Sequence, residues 1–208
     1  MRFKMGLMVA APLMAAALLG ACSSNDSGKT QSGDFPKEAS AAPLNGTPMT
    51  LAGVTFTPPA EWADQGPSGM RKASYAFGPL EGDTDSATVT VFYFGEGMGG
   101  DVDANIKRWI GQMSDHATGG ACSDVQKKEL EVAGMPVHAV SVMGDYSASM
   151  GGPMMGGDKT VKPGYYMSAV VLEGPQGNVF FKLTGPDKTA RAMNDGFMAM
   201  LAQVQRGG

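Results

Sequence analysis

The chain has 208 residues, of which 16 are basic and 20 acidic, and its formal net charge is −4. Hydrophobic residues make up 43% of it, which excludes a wholly disordered chain, and the acidic balance gives no electrostatic reason to expect a nucleic-acid partner. Two cysteines exclude a disulfide scaffold, and two histidines argue against a multi-histidine metal site.

The N-terminal segment has the pattern of an export signal. Arg2 and Lys4 form a positive start, and an uncharged run rich in Ala, Leu and Met follows from Met5 to Gly20. This run is too short to span a hydrocarbon layer of about 30 Å comfortably, and it ends in small residues. Its ending, Leu-Gly-Ala-Cys at 19–22, resembles the lipobox of bacterial lipoproteins. The alternative is an ordinary secretory peptide in which the cysteine is incidental.

The lipobox resemblance implies that residues 1–21 are removed and that Cys22 carries a diacylglyceryl group and further acyl chains. Each buried CH₂ of such a chain contributes about 0.8 kcal/mol, so two or three chains anchor a protein durably. We therefore expect an exported protein bound to a membrane through its lipid. Serines rather than an aspartate follow Cys22. In a cell with two membranes, the resemblance then favours the outer membrane, facing the periplasm, over the inner one.

The mature chain divides into a tether and a domain. Residues 22–47 are rich in Ser, Gly, Pro and Ala and poor in aromatic and β-branched residues. Such a composition buries too little apolar surface to order itself, which predicts a flexible tether. Residues 48–206 have a length that suits one globular domain.

Within this domain, hydrophobic periodicity predicts the element order β-β-β-α-β-β-β-β-α. The predicted strands are 51–58, 71–77, 87–94, 125–132, 136–143, 166–172 and 178–183. A helix over 101–113 presents one apolar stripe, with Asp101 as its N-cap, and a closing helix begins with Asp187 as its cap. Because hairpins dominate, we expect a mostly antiparallel sheet covered by helices, an α+β type of fold.

Several phrases of the domain resemble the bacterial branch of the PsbP/Mog-like fold. These phrases are Pro59–Trp62, Met70–Ala73, Phe92–Gly100, Asn105–Trp109 and Phe180–Pro186. They are similar to the FG-x-G-x-GG, N-x-x-RW and FFKLTGP patterns of uncharacterised envelope proteins. The resemblance implies an α/β/α sandwich around an antiparallel sheet of about six to seven strands. Better-known relatives of the fold bind partners rather than catalyse, but none of their binding residues can be matched here.

A glycine loop precedes the first predicted helix. Gly95, Gly97 and Gly100 satisfy G-x-G-x-x-G, and Gly99 adds a fourth glycine. A dinucleotide site would also need an apolar parallel strand after the helix, whereas 125–132 is rich in charged side chains. We interpret the loop as a turn from sheet to helix, and keep it as a possible binding loop whose amides attract a generic anion.

A second candidate site is the glycine- and methionine-rich segment Ser147–Lys159. Met150, Met154 and Met155, with Met135, Met143 and His138, offer soft thioether and imidazole ligands for Cu(I). Alternatively, the segment is an adaptable docking loop for a protein partner or simply an irregular hairpin connection. Methionine is abundant throughout the chain, at 17 residues, so composition alone would place some of them in this segment.

The sequence contains no readable catalytic constellation. H-E-x-x-H, C-x-x-C and G-x-S-x-G are absent, and Cys122 near His116 is a weak candidate nucleophile. Arg71, Arg108 and Lys182 are either functional charges or solvated ones whose stems cover apolar surface. We therefore predict a non-enzymatic binding or accessory module of the cell envelope, with no cofactor besides the lipid. An envelope Cu(I)-binding protein is the alternative, and partner and oligomeric state stay open.

Overall fold

A mostly antiparallel β-sheet dominates the computed structural model of the chain, which describes residues 44–149 and 159–207. Its strands, with those of a smaller sheet, are β1 (Met49–Leu51), β2 (Val54–Phe56), β3 (Ala63–Asp64), β4 (Arg71–Phe77), β5 (Ala87–Tyr93), β6 (Met113–Ser114), β7 (Val125–Val132), β8 (Met135–Ser149), β9 (Lys159–Gly174), β10 (Gly177–Pro186) and β11 (Gln205–Arg206). The helices are α1 (Val102–Ile110) and α2 (Asp187–Ala202).

Eight of the described strands form the main sheet. Their order is β3-β4-β5-β10-β9-β8-β6, with β7 also paired to β8, and β1-β2-β11 form a separate three-stranded sheet. Neighbouring strands are antiparallel throughout. The expected α+β fold with two helices is confirmed. The main sheet has more strands than expected because β3 and β6, of two residues each, are too short to show a period in the sequence.

Each face of the main sheet carries one helix and has its own hydrophobic cluster. Strand β10 lies at the centre and alternates between the two, with Phe181 facing α2 and Phe180 facing α1. A strand that is buried on both sides reads as a nearly continuous apolar run, as the sequence of β10 does. The α2 side also packs against the small sheet, where Phe56 of β2 meets the Phe181 ring edge to face at 5.2 Å.

Helix α1 begins where the sequence predicts and ends sooner. Asp101 is its N-cap, and the carboxylate accepts a hydrogen bond from the Ala104 amide at 2.7 Å, which confirms the predicted cap. The helix ends at Ile110, and Gly111 follows as its C-cap. Met113, which the apolar stripe assigns to the helix, instead lies in strand β6 with its side chain buried in the same cluster.

The prediction that Asp187 caps the second helix is wrong. Pro186 occupies the N-cap position and provides no side-chain hydrogen bond, while Asp187 lies in the first turn and accepts from Arg191 Nε at 2.7 Å. The cap comes from the loop between β4 and β5. There the Asp83 carboxylate accepts from the Thr189 amide at 3.0 Å and from the Thr189 hydroxyl at 2.5 Å.

Two hairpins also differ from the predicted strands. The single strand expected over 51–58 is a hairpin of β1 and β2, because Ala52 and Gly53 adopt left-handed φ values of 55° and 72° and reverse the chain. Strands β8 and β9 are longer than expected, with 15 and 16 residues, and they remain paired out to Ser149 and Lys159.

Candidate functional site

The sheet face that carries α1 is only partly covered by that helix. Nine helical residues span about 14 Å, whereas seven neighbouring strands span about 29 Å. Beside the helix this face changes from apolar to polar, and Thr88, Thr90 and Thr184 remain partly exposed on β5 and β10. A polar strip of the sheet is therefore open to a ligand.

Lys182 of β10 lies between the apolar and polar parts of this face. Its side chain is only 8% exposed, and its ammonium donates to Gln112 Oε1 at 2.5 Å and to the Tyr146 hydroxyl at 3.2 Å. The Nζ atom also lies 4.8 Å from the centroid of the Tyr146 ring. Burial, and secondarily the charge of Arg108, lower the pKa of Lys182 from 10.5 to about 7.

Tyr146 continues the site toward β9. Its ring stacks on that of Tyr165, with centroids 5.9 Å apart and planes at 14°. The Tyr165 hydroxyl donates to Asp85 Oδ2 at 2.6 Å, and Lys162 Nζ donates to the same oxygen at 2.8 Å. We call Asp85, Gln112, Tyr146, Lys162, Tyr165 and Lys182 together the tyrosine–lysine cluster. A cavity of about 260 Å³ beside it is lined by Asp85, Lys162 and Tyr165.

The electrostatics of the cluster separate its two lysines. Hydrogen bonds from Lys162 and then Tyr165 lower the pKa of Asp85, and the bond to Asp85 in turn raises the pKa of Lys162. Lys162 is thus an ordinary paired ammonium. Lys182 has only neutral hydrogen-bond partners and titrates near neutrality. Burial raises the pKa of the Tyr146 phenol, against the opposing charges of Arg71 and Lys162.

Two arginines lie close enough to act on the cluster, because the charge of Arg108 affects Lys182 and that of Arg71 affects Tyr146. Neither forms an ion pair with a carboxylate among the described residues. Arg108 donates from Nη2 to Asn105 Oδ1 at 2.5 Å. The buried Asn105 amide donates to the carbonyl oxygens of Gly99 and Asp101, both at 2.8 Å, so it ties the glycine loop to the helix. Within the N-x-x-RW phrase, Asn105 therefore holds Arg108 in place. Trp109 is buried, with its ring centroid 6.3 Å from that of Phe180.

The glycine loop is a packed turn that adjoins this site. All four predicted loop glycines, Gly95, Gly97, Gly99 and Gly100, have positive φ. A Cβ at Gly99 would lie 2.8 Å from the Phe180 ring and 2.9 Å from the Phe94 ring, so glycine is required there by contact as well as by φ. The Asp101 carboxylate already accepts from the Ala104 amide in the first turn of α1, and the predicted attraction of the loop amides for an anion stays a prediction.

The described residues do not bring the predicted copper ligands together. Met150, Met154 and Met155 lie outside them, as does Cys22, so their roles stay predictions. Along β8, Met135 faces α2, whereas Val140 and Val142 face α1. Because side chains alternate along a strand, His138 lies on the α1 side, opposite Met135 and Met143. His138 instead pairs with Glu173, Nε2 to Oε1, at 2.7 Å. In residues 44–149 and 159–207, no three His, Cys, Asp or Glu side chains group to hold a metal.

The environment of Cys122 disfavours a nucleophile. Its thiol is half-buried and donates to the Met143 carbonyl oxygen at 3.5 Å. Burial, then the charges of Asp115 and Asp145, raise the pKa of the Cys122 thiol, so the reactive thiolate is disfavoured. His116, the candidate base, pairs with Asp145 at 2.7 Å instead.

The sequence singles out three cations near this cluster, as either functional or solvated charges, and gives no sign of the groups around them. Arg71, Arg108 and Lys182 were recognisable, and Lys182 carries a local signal because it is the one charge in the apolar strand β10. Asp85, Gln112, Tyr146 and Tyr165 carry no such signal. They reach Lys182 and one another only because the sheet places β10, β9 and β8 side by side.

Neither described helix is both long enough and apolar enough to cross a bilayer. No family model matches the sequence, and no curated protein matches it.

Three solved structures are similar to the chain. LpqN of Mycobacterium tuberculosis, described as involved in cell envelope biogenesis, is 13% identical at a TM-score of 0.43, with 77% of this chain and 84% of LpqN covered. Cyanobacterial PsbP from Synechocystis sp. PCC 6803 is 10% identical at a TM-score of 0.44, with 83% of this chain and 98% of that PsbP chain covered. A Bacteroides thetaiotaomicron protein is 12% identical at a TM-score of 0.38, with 78% of this chain and 49% of that protein covered.

Proposed function

We propose that the chain is a lipid-anchored, non-enzymatic binding module of the bacterial cell envelope, and that the tyrosine–lysine cluster with Arg71 and Arg108 is its recognition surface. The observation that carries the proposal is the burial of the Lys182 amine on neutral partners beside a partly exposed polar strip. An apolar residue would pack there at lower cost, so a purely structural role does not account for the lysine. Perturbed groups of this kind concentrate at functional sites.

The arrangement suits recognition better than chemistry. Asp85 is held as a carboxylate by Lys162 and Tyr165, so it does not exchange protons near neutral pH. The other groups of the cluster are hydrogen-bond donors and aromatic rings fixed on neighbouring strands. A rigid scaffold that holds such groups in place favours a bound ligand of defined shape and charge.

The predicted lipid anchor sets where this binding takes place. Acylation of Cys22 would leave the predicted tether over 22–47 between the lipid and the domain. A flexible segment of this length has a mean end-to-end distance of about 28 Å. The recognition surface would then sample the space next to the membrane, facing the periplasm if the anchor lies in the outer membrane.

Labelling with radioactive palmitate tests the anchor. We expect label on the wild-type protein and on Cys122→Ser, and none on Cys22→Ser, because the acyl chains are predicted on Cys22. Cys122→Ser is the control, since it removes the other thiol of the chain. We also expect membrane fractions to retain the first two proteins and lose the third. Equal labelling of all three proteins, or wild-type protein found in the cytosol, contradicts the anchored module.

Site-specific photocrosslinking in intact cells tests the recognition surface. A photoreactive phenylalanine derivative at Thr90, beside the cluster on β5, should yield a discrete adduct by mass spectrometry. The same residue at Glu131, exposed on the edge strand β7, should not. Identical adducts at both positions, or none at Thr90, contradict the assignment of this surface.

A further inference from the structure

We propose that the ligand of the tyrosine–lysine cluster is an oxyanion, a phosphate- or sulfate-like group of a small soluble molecule, held between Lys182, Arg108 and Arg71. This inference rests on the proposed function and names the ligand class of the same site. Three kinds of observation carry it: the charges around the cluster, the hydrogen-bond donors that remain unused, and the recessed position of Lys182.

The charge around the cluster is positive in a chain whose net charge is −4. Within the part of the chain that the structure describes, no carboxylate pairs with Lys182, Arg108 or Arg71. The one carboxylate of the cluster, Asp85, is already shared by Lys162 and Tyr165. The Arg108 charge lies close enough to disfavour the Lys182 ammonium. An anion between these cations relieves their repulsion, and a neutral ligand does not.

The unused hydrogen-bonding groups also match an anion. Lys182 has three N–H donors and gives two of them to Gln112 and Tyr146. Arg108 has five and gives one to Asn105. The Tyr146 hydroxyl accepts from Lys182, which leaves its own hydrogen to donate. The surface therefore offers donors, and its natural complement is a ligand that only accepts, as the oxygens of phosphate and sulfate do.

The position of Lys182 favours a small soluble anion over a lipid headgroup in a bilayer. Its side chain is 8% exposed and lies against the sheet beside α1, whereas Lys107, on the same helix, is exposed. A flat membrane surface would meet the exposed lysine before the recessed one. A small ligand can enter beside the helix over Thr90 and Thr184.

Anion binding at this site is expected to depend on pH. The groups around the Lys182 amine are Gln112, which follows α1, Tyr146 of β8 and the charge of Arg108 on α1. Arg71 of β4 acts on Tyr146, and Thr90 of β5 donates to the Lys182 carbonyl oxygen. Among these, the arginines stay charged and burial raises the pKa of Tyr146, so Lys182 alone changes charge between pH 6 and 8. A ligand that binds only the ammonium form would bind about tenfold more weakly at pH 8 than at pH 6.

Equilibrium dialysis with radioactive sulfate tests the proposal on the mature full-length protein in neutral detergent. Sulfate keeps the same charge across this pH range, so any change in affinity reports on the protein. At constant ionic strength we expect saturable binding, competition by inorganic phosphate and the tenfold loss from pH 6 to 8. K182M should weaken binding at pH 6 at least tenfold and abolish its pH dependence. Should K182M fail to fold, R108Q and R71Q, whose side chains are exposed, should each weaken binding severalfold, while K107Q should not.

Several outcomes overturn the inference. Absence of saturable sulfate binding does so, as does binding that is equal in K182M, R108Q and K107Q. A separate arm measures Cys22→Ser protein on phosphatidylglycerol and phosphatidylcholine vesicles. Displacement of sulfate by the anionic vesicles alone would assign the site to a lipid headgroup instead. If the protein binds no sulfate but the photoadduct at Thr90 forms, the oxyanion is rejected and the recognition surface is kept. If neither is observed, the proposed function is rejected as well.

Discussion

At the scale of single residues, Lys182 links burial to protonation. The amine titrates near 10.5 in an unfolded chain and at about 7 in the folded one, because the sheet removes water from it. Between these two pH values the unfolded chain binds one proton more than the folded chain. The contribution of this group to the unfolding free energy therefore rises with pH above about 7, by at most about 1.4 kcal/mol per pH unit. Below pH 7 the cost of burying the charged amine is present in full.

Replacing Lys182 with Met should remove this rise. We expect the unfolding free energy of the wild type to increase between pH 7 and pH 9 in urea titrations, and that of Lys182→Met to be flatter over the same range. Lys107→Met, at an exposed position on α1, should keep the slope of the wild type. Equal slopes in all three proteins would mean that the Lys182 amine is charged in the folded state throughout.

At the scale of elements, helix α2 depends on a loop far away in the chain. Pro186 cannot cap the helix with its side chain, and Asp83 of the β4–β5 loop accepts from both the amide and the hydroxyl of Thr189. The same hydroxyl accepts a hydrogen bond from the Leu80 amide at 3.1 Å. The loop and the first turn of the helix are thus stabilised together.

Removing the distant cap should therefore cost more than removing the local acid. We expect Asp83→Ala to lower the unfolding free energy by about 1–2 kcal/mol, as loss of an N-cap does. Asp187→Ala, which removes a half-buried acid from the first turn of α2 and its bond with Arg191, should change the unfolding free energy by no more than about 1 kcal/mol. Urea denaturation at neutral pH measures both, and the reverse order would restore Asp187 as the cap.

At the scale of the whole fold, the central strand β10 joins the two hydrophobic clusters and the small sheet. Phe181 is fully buried and meets Phe56 of β2 edge to face, with planes at 82°. Phe180, the next residue, packs with Trp109 on the α1 side. Since successive residues of a strand point to opposite faces, one short segment contributes to both cores.

Truncating the central phenylalanine should destabilise the fold more than truncating one at its surface. We expect Phe181→Ala to cost about 3–5 kcal/mol, which is a large part of the usual stability of a domain. Phe94→Ala, at a position that is 38% exposed, should cost about 1 kcal/mol or less. Thermal unfolding followed by circular dichroism compares the two, and similar losses would contradict a central role for β10.

Most strands and both helices were predictable from the sequence, since periodicity, hairpin turns and the Asp101 cap act between residues close in the chain. From this pattern the antiparallel α+β fold was predictable, as was the singular position of Lys182 in an apolar strand. Strands β3 and β6 were not, because two residues show no period.

Tertiary structure alone decided the cap of α2 and the composition of the candidate site. Asp83 lies 106 residues from Thr189, and Gln112 and Tyr146 lie 70 and 36 residues from Lys182. Their meeting depends on the strand order β10-β9-β8 and on where the short helix α1 ends, which follow from packing of the complete sheet. Local patterns in a sequence do not record contacts of this kind, and so the partners of Lys182 became visible only in the folded chain.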